Sequence, residues 1–97
     1  MNKLKVGAMV WIPCEVKPGP FSNERVVLVE SERGPWIGFV DVSFLQNDIE
    51  TGKTFIRARV VSVEANVFQA TLPGHSVTAS RVIQEQRDKV SLAPLPA

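Results

Sequence analysis

Residues 4–16 alternate strictly in side-chain type, and this alternation constrains the fold more than any other feature of the sequence. The even positions carry apolar side chains or cysteine, namely Leu4, Val6, Ala8, Val10, Ile12, Cys14 and Val16. Successive side chains of a β-strand point to opposite faces, so a period of two predicts a long strand with one buried face. Gly7 and Pro13 fall on the other face, where we expect a bend. Pro13 should lie at a sheet edge or a bulge.

Four further segments read as strands, at 25–30, 36–42, 55–64 and 68–72. Loops rich in proline and glycine separate the first two of these strands from their neighbours, at 17–23 and 31–35. In the strand at 55–64 the apolar parity changes after Val60 to Val61 and Val63, which predicts a bulge or a bend. Residues 43–48 are expected to form a short helical turn with Leu45 pointing inward. Residues 81–86 fit either a helix or a short strand.

These elements predict an all-β fold, a small five-stranded antiparallel barrel with a short helical turn between strands 3 and 4. The barrel is expected to occupy residues 1–75. Residues 76–97 would form an extension that is partly packed on the barrel, with residues 93–97 frayed. A chain of 97 residues has room for one modest core. Its 44% hydrophobic and 22% charged residues are ordinary for a folded domain.

Charge and cysteine content narrow the functional classes. Lysine and arginine total 11 against 10 acidic residues, so a net charge of +1 provides no long-range attraction to phosphate. A local basic patch remains open. The single Cys14 excludes an internal disulfide. The N-terminus lacks a secretory signal pattern, and no apolar run approaches the ~20 residues of a membrane span, so we expect a cytoplasmic protein without membrane contact.

The stretch Gly38-Phe39-Val40-Asp41-Val42-Ser43-Phe44-Leu45 resembles the middle of S1-type RNA-binding domains, which have the oligonucleotide-binding (OB) fold. Gly52 and the basic, valine-rich residues 55–64 continue the resemblance, which covers roughly residues 6–74. It implies an OB-fold, S1-like barrel that binds single-stranded RNA. The family pattern has a surface histidine where this chain has Asp41. Of its aromatic pair in the first loop and second strand only Phe21 remains, with Pro18 in the partner's place.

The same eight residues also resemble the end of SH3-type barrels, in which only one short strand follows. Two substantial strands are predicted to follow here, which favours the OB order. An SH3-like barrel would make this chain a protein-interaction or self-associating module with no role in nucleic-acid binding.

No motif in the sequence predicts catalysis, a metal or a cofactor. Cys14 and His75 are the residues that suggest nucleophilic chemistry, but Cys14 shares the apolar parity of its strand and is expected to be buried. One cysteine and one histidine are too few for a structural zinc site. We therefore expect a non-enzymatic protein.

The leading hypothesis is a non-catalytic binding module for single-stranded RNA or a ribonucleoprotein. Its predicted contact residues are Lys17, Phe21, Arg25, Phe39, Asp41, Arg57 and Arg59. The two phenylalanines would stack on bases, and the basic side chains would meet phosphates. The alternative is a protein partner or a homo-oligomer that uses the same aromatic surface.

Overall fold

The computed structural model describes residues 4–32, 34–76, 82–86 and 91–92. These described residues form eight strands and one 3-10 turn. The strands are β1 (Met9–Pro18), β2 (Glu24–Val29), β3 (Trp36–Asp41), β4 (Gly52–Val63), β5 (Val67–Thr71), β6 (His75–Ser76), β7 (Val82–Gln86) and β8 (Ser91–Leu92). The turn spans Val42–Phe44 between β3 and β4.

All pairings in the sheet are antiparallel, and the strand order is β6-β3-β2-β1-β4-β5-β7, with β8 pairing β1. The sheet curls into a nearly closed barrel. One link across the opening joins the turn after β2 to β7, where the Glu32 amide donates to the Gln84 carbonyl at 2.9 Å. The predicted all-β barrel with a turn between strands 3 and 4 is confirmed. The structure adds β7 and the two-residue strands β6 and β8 to the five strands predicted.

β1 lies at the centre of the sheet but begins later than the alternation predicted. Gly7 has φ +92°, and the Ala8 amide donates to the Lys5 carbonyl at 3.0 Å, so a turn precedes the strand. Backbone with positive φ is the left-handed conformation that glycine adopts readily. At its other end the strand continues through Pro18, which pairs with Arg25 of β2, so the predicted loop at 17–23 is shorter.

The core is formed by the inward-facing side chains of the long strands, which occur at every second position of each strand. Its largest fully buried side chains are Phe68, Ile12, Ile56 and Ile83. Burying a side chain of this size contributes about 1.5–3 kcal/mol. Leu45, which follows the 3-10 turn, is buried as predicted and forms a bridge to Ile56.

β4 carries the predicted irregularity. Its pairing with β5 shifts register between Val60 and Ser62, and Val61 between them is exposed. Val63 then packs against the core from the far side of the bulge. A residue inserted on one strand moves the following side chains to the other parity, which explains the switch seen in the sequence.

Residues 82–86 form a strand, and the helical alternative is wrong. β7 pairs with β5 along its whole length, and Ile83 is buried against the core. This part of the predicted extension therefore belongs to the barrel. The frayed tail predicted at 93–97 lies outside the described residues. In the part of the chain that the structure describes, no helix is long and apolar enough to cross a membrane.

Candidate nucleic-acid interface

The outward face of β4 carries a row of basic and aromatic side chains, which we call the β4 stripe: Lys53, Phe55, Arg57 and Arg59. These residues alternate with buried positions, so all four side chains lie on one face of the strand. Phe55 is 37% exposed, which is high for a phenylalanine in a central strand. Alternate residues of a strand are about 6.5 Å apart, so Arg57 and Arg59 can reach successive phosphates.

β1 extends this surface on one side of the β4 stripe. Met9, Trp11 and Pro13 pair with Arg59, Arg57 and Phe55 in the antiparallel register. Directly paired residues share a face of the sheet and place their Cβ atoms about 5 Å apart. Trp11 is half-buried and lies beside Arg57. From Phe55 to Arg59 the stripe and its β1 partners include no carboxylate, whereas Lys53 at the end of the stripe pairs with Glu15.

Arg57 is held in place by the 3-10 turn. Its guanidinium carbon lies 5.7 Å from the centre of the Phe44 ring, within cation–π distance. Its buried Nε has no hydrogen-bond partner among the described residues. The turn itself is fixed against β4, because the Gln46 amide donates to the Phe55 carbonyl at 2.9 Å. Arg57 is therefore oriented before any ligand arrives.

Three predicted contact residues lie at the opposite end of β1, and we call them the loop cluster: Lys17, Phe21 and Phe39. Lys17 pairs with Val26, which pairs in turn with Phe39. Phe21 is 68% exposed in the loop between β1 and β2. Lys17 lies six positions beyond Trp11 along β1, a distance of about 20 Å. The predicted site is thus divided between the β4 stripe and the loop cluster.

The loop that presents Phe21 is closed by backbone hydrogen bonds. The Gly19 amide donates to the Glu24 carbonyl, and the Glu24 amide donates to the Phe21 carbonyl, both at 3.1 Å. A Cβ on Gly19 would lie 2.5 Å from the Glu24 carbonyl oxygen, so this position accepts no other residue without movement. Phe21 therefore projects from an ordered support.

The structure gives Arg25 a different role from the predicted phosphate contact. Arg25 is 6% exposed and lies on the same parity as the core residues Val27 and Val29. Nε donates to the Ile49 carbonyl at 2.7 Å, and Nη1 donates to the carbonyls of Ser22 and Glu24 at 2.9 Å. Nη2 pairs with Asp48 at 3.2 Å. Arg25 ties two loops to the barrel and is left out of the contact surface.

Asp41 acts as a cap where β3 meets the 3-10 turn. Its Oδ1 accepts from the Ser43 amide at 2.9 Å, and its Oδ2 accepts from Asn23 Nδ2 at 3.0 Å. The Ser43 amide is the main cause that holds the pKa of Asp41 below its ordinary value, and the Ser43 hydroxyl and Asn23 act in the same direction. Both carboxylate oxygens are engaged in positioning the loop cluster.

Catalytic chemistry at Cys14 finds no support in its surroundings. The thiol is buried, and desolvation raises its pKa to about 12, against a smaller opposing effect from a Thr54 backbone hydrogen bond. Such a thiol is protonated at neutral pH and is a poor nucleophile. His75 lies on β6, whose backbone pairs with Phe39 of β3, and β6 is three positions from β1 in the sheet order. No cluster of metal-ligating side chains occurs among the described residues.

A cavity of about 540 Å³ opens beside the middle of β1. It is lined by Pro13, Cys14, Glu15, Leu28, Glu30, Lys53, Thr54, Phe55 and Glu85. The sequence reasoning did not anticipate this cavity, nor the parts played by Trp11, Lys53 and Phe55. The sequence carries one signal for these three residues, namely the alternation of their strands. All three occupy positions that alternate with the buried residues, as Arg57 and Arg59 do.

Comparison with known proteins does not assign a family. No family model matches the chain, and neither the curated proteins nor the solved structures include a similar one. The class of the protein is therefore given by its fold, which is an all-β, nearly closed barrel.

Proposed function

We propose that this protein is a non-catalytic module that binds single-stranded RNA across the outer face of β4 and β1. The observation that carries the proposal is the part of the β4 stripe from Phe55 to Arg59 with its β1 neighbours, where two cations and two aromatic rings lie together without a carboxylate. Single strands are bound by this combination, because cations meet the backbone and exposed rings stack on bases. The resemblance of residues 38–45 and 52–64 to S1-type domains supports the same class of ligand.

Within this surface the side chains take separate roles. Arg57 and Arg59 contact phosphates, and the Phe44 ring limits the movement of Arg57. Phe55 and Trp11 stack on bases, each stacked base contributing about 1–3 kcal/mol. The loop cluster adds a second contact about 20 Å away along β1 for a longer strand. A ribonucleoprotein would present the same single-stranded RNA.

The test is the affinity of a fluorescent oligouridine of about ten nucleotides, measured by anisotropy at about 50 and about 200 mM salt. We expect the double variant Arg57→Ala with Arg59→Ala to bind at least ten-fold more weakly and to show a smaller salt slope. Val61→Ala, an exposed position on the same strand, serves as the matched control and should bind like the wild type. The wild type should show a linear loss of log affinity with log salt.

Tryptophan fluorescence gives a second readout. Trp36 is 2% exposed, so quenching on titration reports on the half-buried Trp11. Absence of oligouridine binding at low salt would refute the proposal. Self-association that is indifferent to salt and abolished by Phe21→Ala with Phe39→Ala would replace it with the protein-interaction alternative.

A further inference from the structure

The cavity lies where β1 lacks a neighbour on one side. β1 pairs with β2 from Glu15 to Pro18 and with β8 at Val10 and Trp11. Among the described residues no strand pairs with the stretch between them on that side. The lining comes from β1, β4, β7 and the end of β2, so the cavity reaches from the outer surface to the barrel interior.

The cavity combines apolar walls with polar groups, some buried at its inner side and others exposed at its rim. Pro13 and Phe55 are register partners and form an apolar and aromatic wall next to Leu28. Thr54 and Glu85 are buried at its inner side. A volume of 540 Å³ with largely apolar walls and a few polar groups is typical of a small-ligand site.

The charges at the rim select the kind of ligand. Glu15 and Glu30 are exposed, and Glu15 pairs with Lys53 across the sheet. Glu30 follows β2, two residues beyond the Leu28 that pairs with Glu15. A carboxylate only accepts hydrogen bonds, so Glu30 favours a flat group with adjacent donors. Among the nucleobases, guanine alone presents two adjacent donors on its Watson–Crick edge, N1–H and the N2 amine.

We propose that the cavity holds one unpaired guanine of a bound RNA strand, stacked on Phe55, with Glu30 accepting from N1–H and N2–H. This inference rests on the proposed function. The path of the strand supports it, because Phe55 belongs both to the cavity and to the β4 stripe, and Arg57 follows two residues later. A base splayed out of a single strand and read on its Watson–Crick edge is a common mode of RNA recognition.

The experiment compares oligouridine with the same strand carrying one central guanosine, inosine, adenosine or cytidine. We expect the guanosine strand to bind about ten-fold more tightly than oligouridine. Inosine, which lacks the N2 amine, should fall between the two. Amide chemical shifts of Cys14, Thr54 and Glu85 should move with the guanosine strand and remain still with oligouridine.

Glu30→Gln tests the acceptor, because its amide replaces one acceptor by a donor. It should abolish the preference for guanosine and leave oligouridine affinity unchanged. Glu24→Gln is the matched control at the other end of β2, about 20 Å away, and should keep the preference. Thermal unfolding of both variants excludes loss of fold as the cause.

The outcomes separate this inference from the proposed function. Equal, salt-dependent binding of the guanosine and uridine strands would overturn the guanine site and leave RNA binding standing. Binding of neither strand would overturn both. Cavity shifts produced by an organic cation such as phenethylamine, without any preference for guanosine, would also overturn the guanine site and assign the cavity to a cationic ligand.

Discussion

Arg25 shows how one charged side chain can be structural in a barrel this small. It faces inward, and its guanidinium donates to three backbone carbonyls in addition to pairing with the exposed Asp48. The loop carbonyls of Ser22 and Ile49 would lose this donor if the side chain were shortened. A hydrogen bond with one charged partner contributes about 1.5–3 kcal/mol to stability.

Replacing Arg25 by methionine should therefore lower the free energy of unfolding by about 2–4 kcal/mol, because the part-buried hydrogen bonds to the loop carbonyls of Ser22 and Ile49 are lost. Urea unfolding followed by circular dichroism measures the change. Arg59→Met is the matched control on the exposed face of β4 and should change stability by less than about 0.5 kcal/mol. Equal effects of the two substitutions would contradict the structural role of Arg25.

Asp41 makes a pH-dependent contribution through its cap. Its pKa in the folded protein lies below the unfolded value of about 3.9, since the Ser43 amide favours the ionised form. The stability that it contributes is therefore present above the unfolded pKa and is lost as the pH falls through the folded pKa. Asp41→Asn should melt below the wild type at neutral pH, and the difference should narrow below about pH 4.

Thermal melts from neutral to acidic pH measure this difference. Glu64→Gln, an exposed carboxyl at the end of β4, is the control and should track the wild type throughout. A gap between Asp41→Asn and the wild type that stays constant with pH would show that the carboxylate charge does not stabilise the cap.

At the scale of elements, the sequence predicted strands best where alternation was long. The inward positions from Val10 to Val16 and the parity change after Val60 both appear in the structure. The sequence of β7 fits a helical and a strand pattern equally, because its five residues include one strongly buried apolar side chain, Ile83. This segment becomes a strand because it pairs with the free edge of β5, a long-range contact that no local sequence pattern indicates.

The candidate surface was predicted in part for a related reason. Parity showed which side chains share a face of their own strand, so Arg57 and Arg59 were grouped correctly on β4. Which residues of β1 lie beside them depends on register between strands, a long-range property. The pairing of Trp11 with Arg57 and of Pro13 with Phe55 therefore emerged only from the structure.

The loop between β1 and β2 gives a prediction at this scale. Gly19→Ala would place a methyl group against the Glu24 carbonyl, and the turn must open to admit it. We expect a loss of about 1–3 kcal/mol in unfolding free energy, as for other forced insertions into close-packed structure. Pro20→Ala, at an exposed position in the same loop, is the control.

Amide spectra locate the effect of Gly19→Ala. Shifts should concentrate in residues 19–25 and extend to Phe39, because Asn23 joins this loop to Asp41 at the end of β3. Unchanged stability together with unchanged shifts in this loop would mean that the close approach of Gly19 to Glu24 is not a constraint in solution.

At the scale of the whole molecule, a net charge of +1 and a nucleic-acid surface are compatible, because salt limits the range of each charge. The Debye length is about 8–10 Å at physiological salt, shorter than the ~13 Å along β1 from Trp11, the partner of Arg57, to Glu15, the partner of Lys53. A strand over Arg57 and Arg59 therefore experiences these two cations more strongly than the carboxylate of Glu15. The association rate should depend weakly on the net charge of the protein and strongly on these two arginines.

Barrel closure depends on β7, which joins β5 by five residue pairs and reaches the turn after β2 through Gln84 and Gln86. Ile83 is 1% exposed, so Ile83→Ala would leave a cavity under this strand. We expect a loss of about 2–5 kcal/mol in unfolding free energy, with a single cooperative transition retained. Val61→Ala, an aliphatic truncation at an exposed site, should cost less than about 0.5 kcal/mol.

Hydrogen exchange distinguishes a barrel closed by β7 from one that β7 merely covers. If closure is cooperative, the amides of β5 and β7 exchange through global unfolding, and Ile83→Ala lowers their protection by the same free energy as the rest of the barrel. If β7 opens independently, its amides exchange early and Ile83→Ala leaves β1 and β4 protected as before. The second result would restrict the stable domain to β1–β5 and place β7 outside the unit that supports the RNA-binding surface.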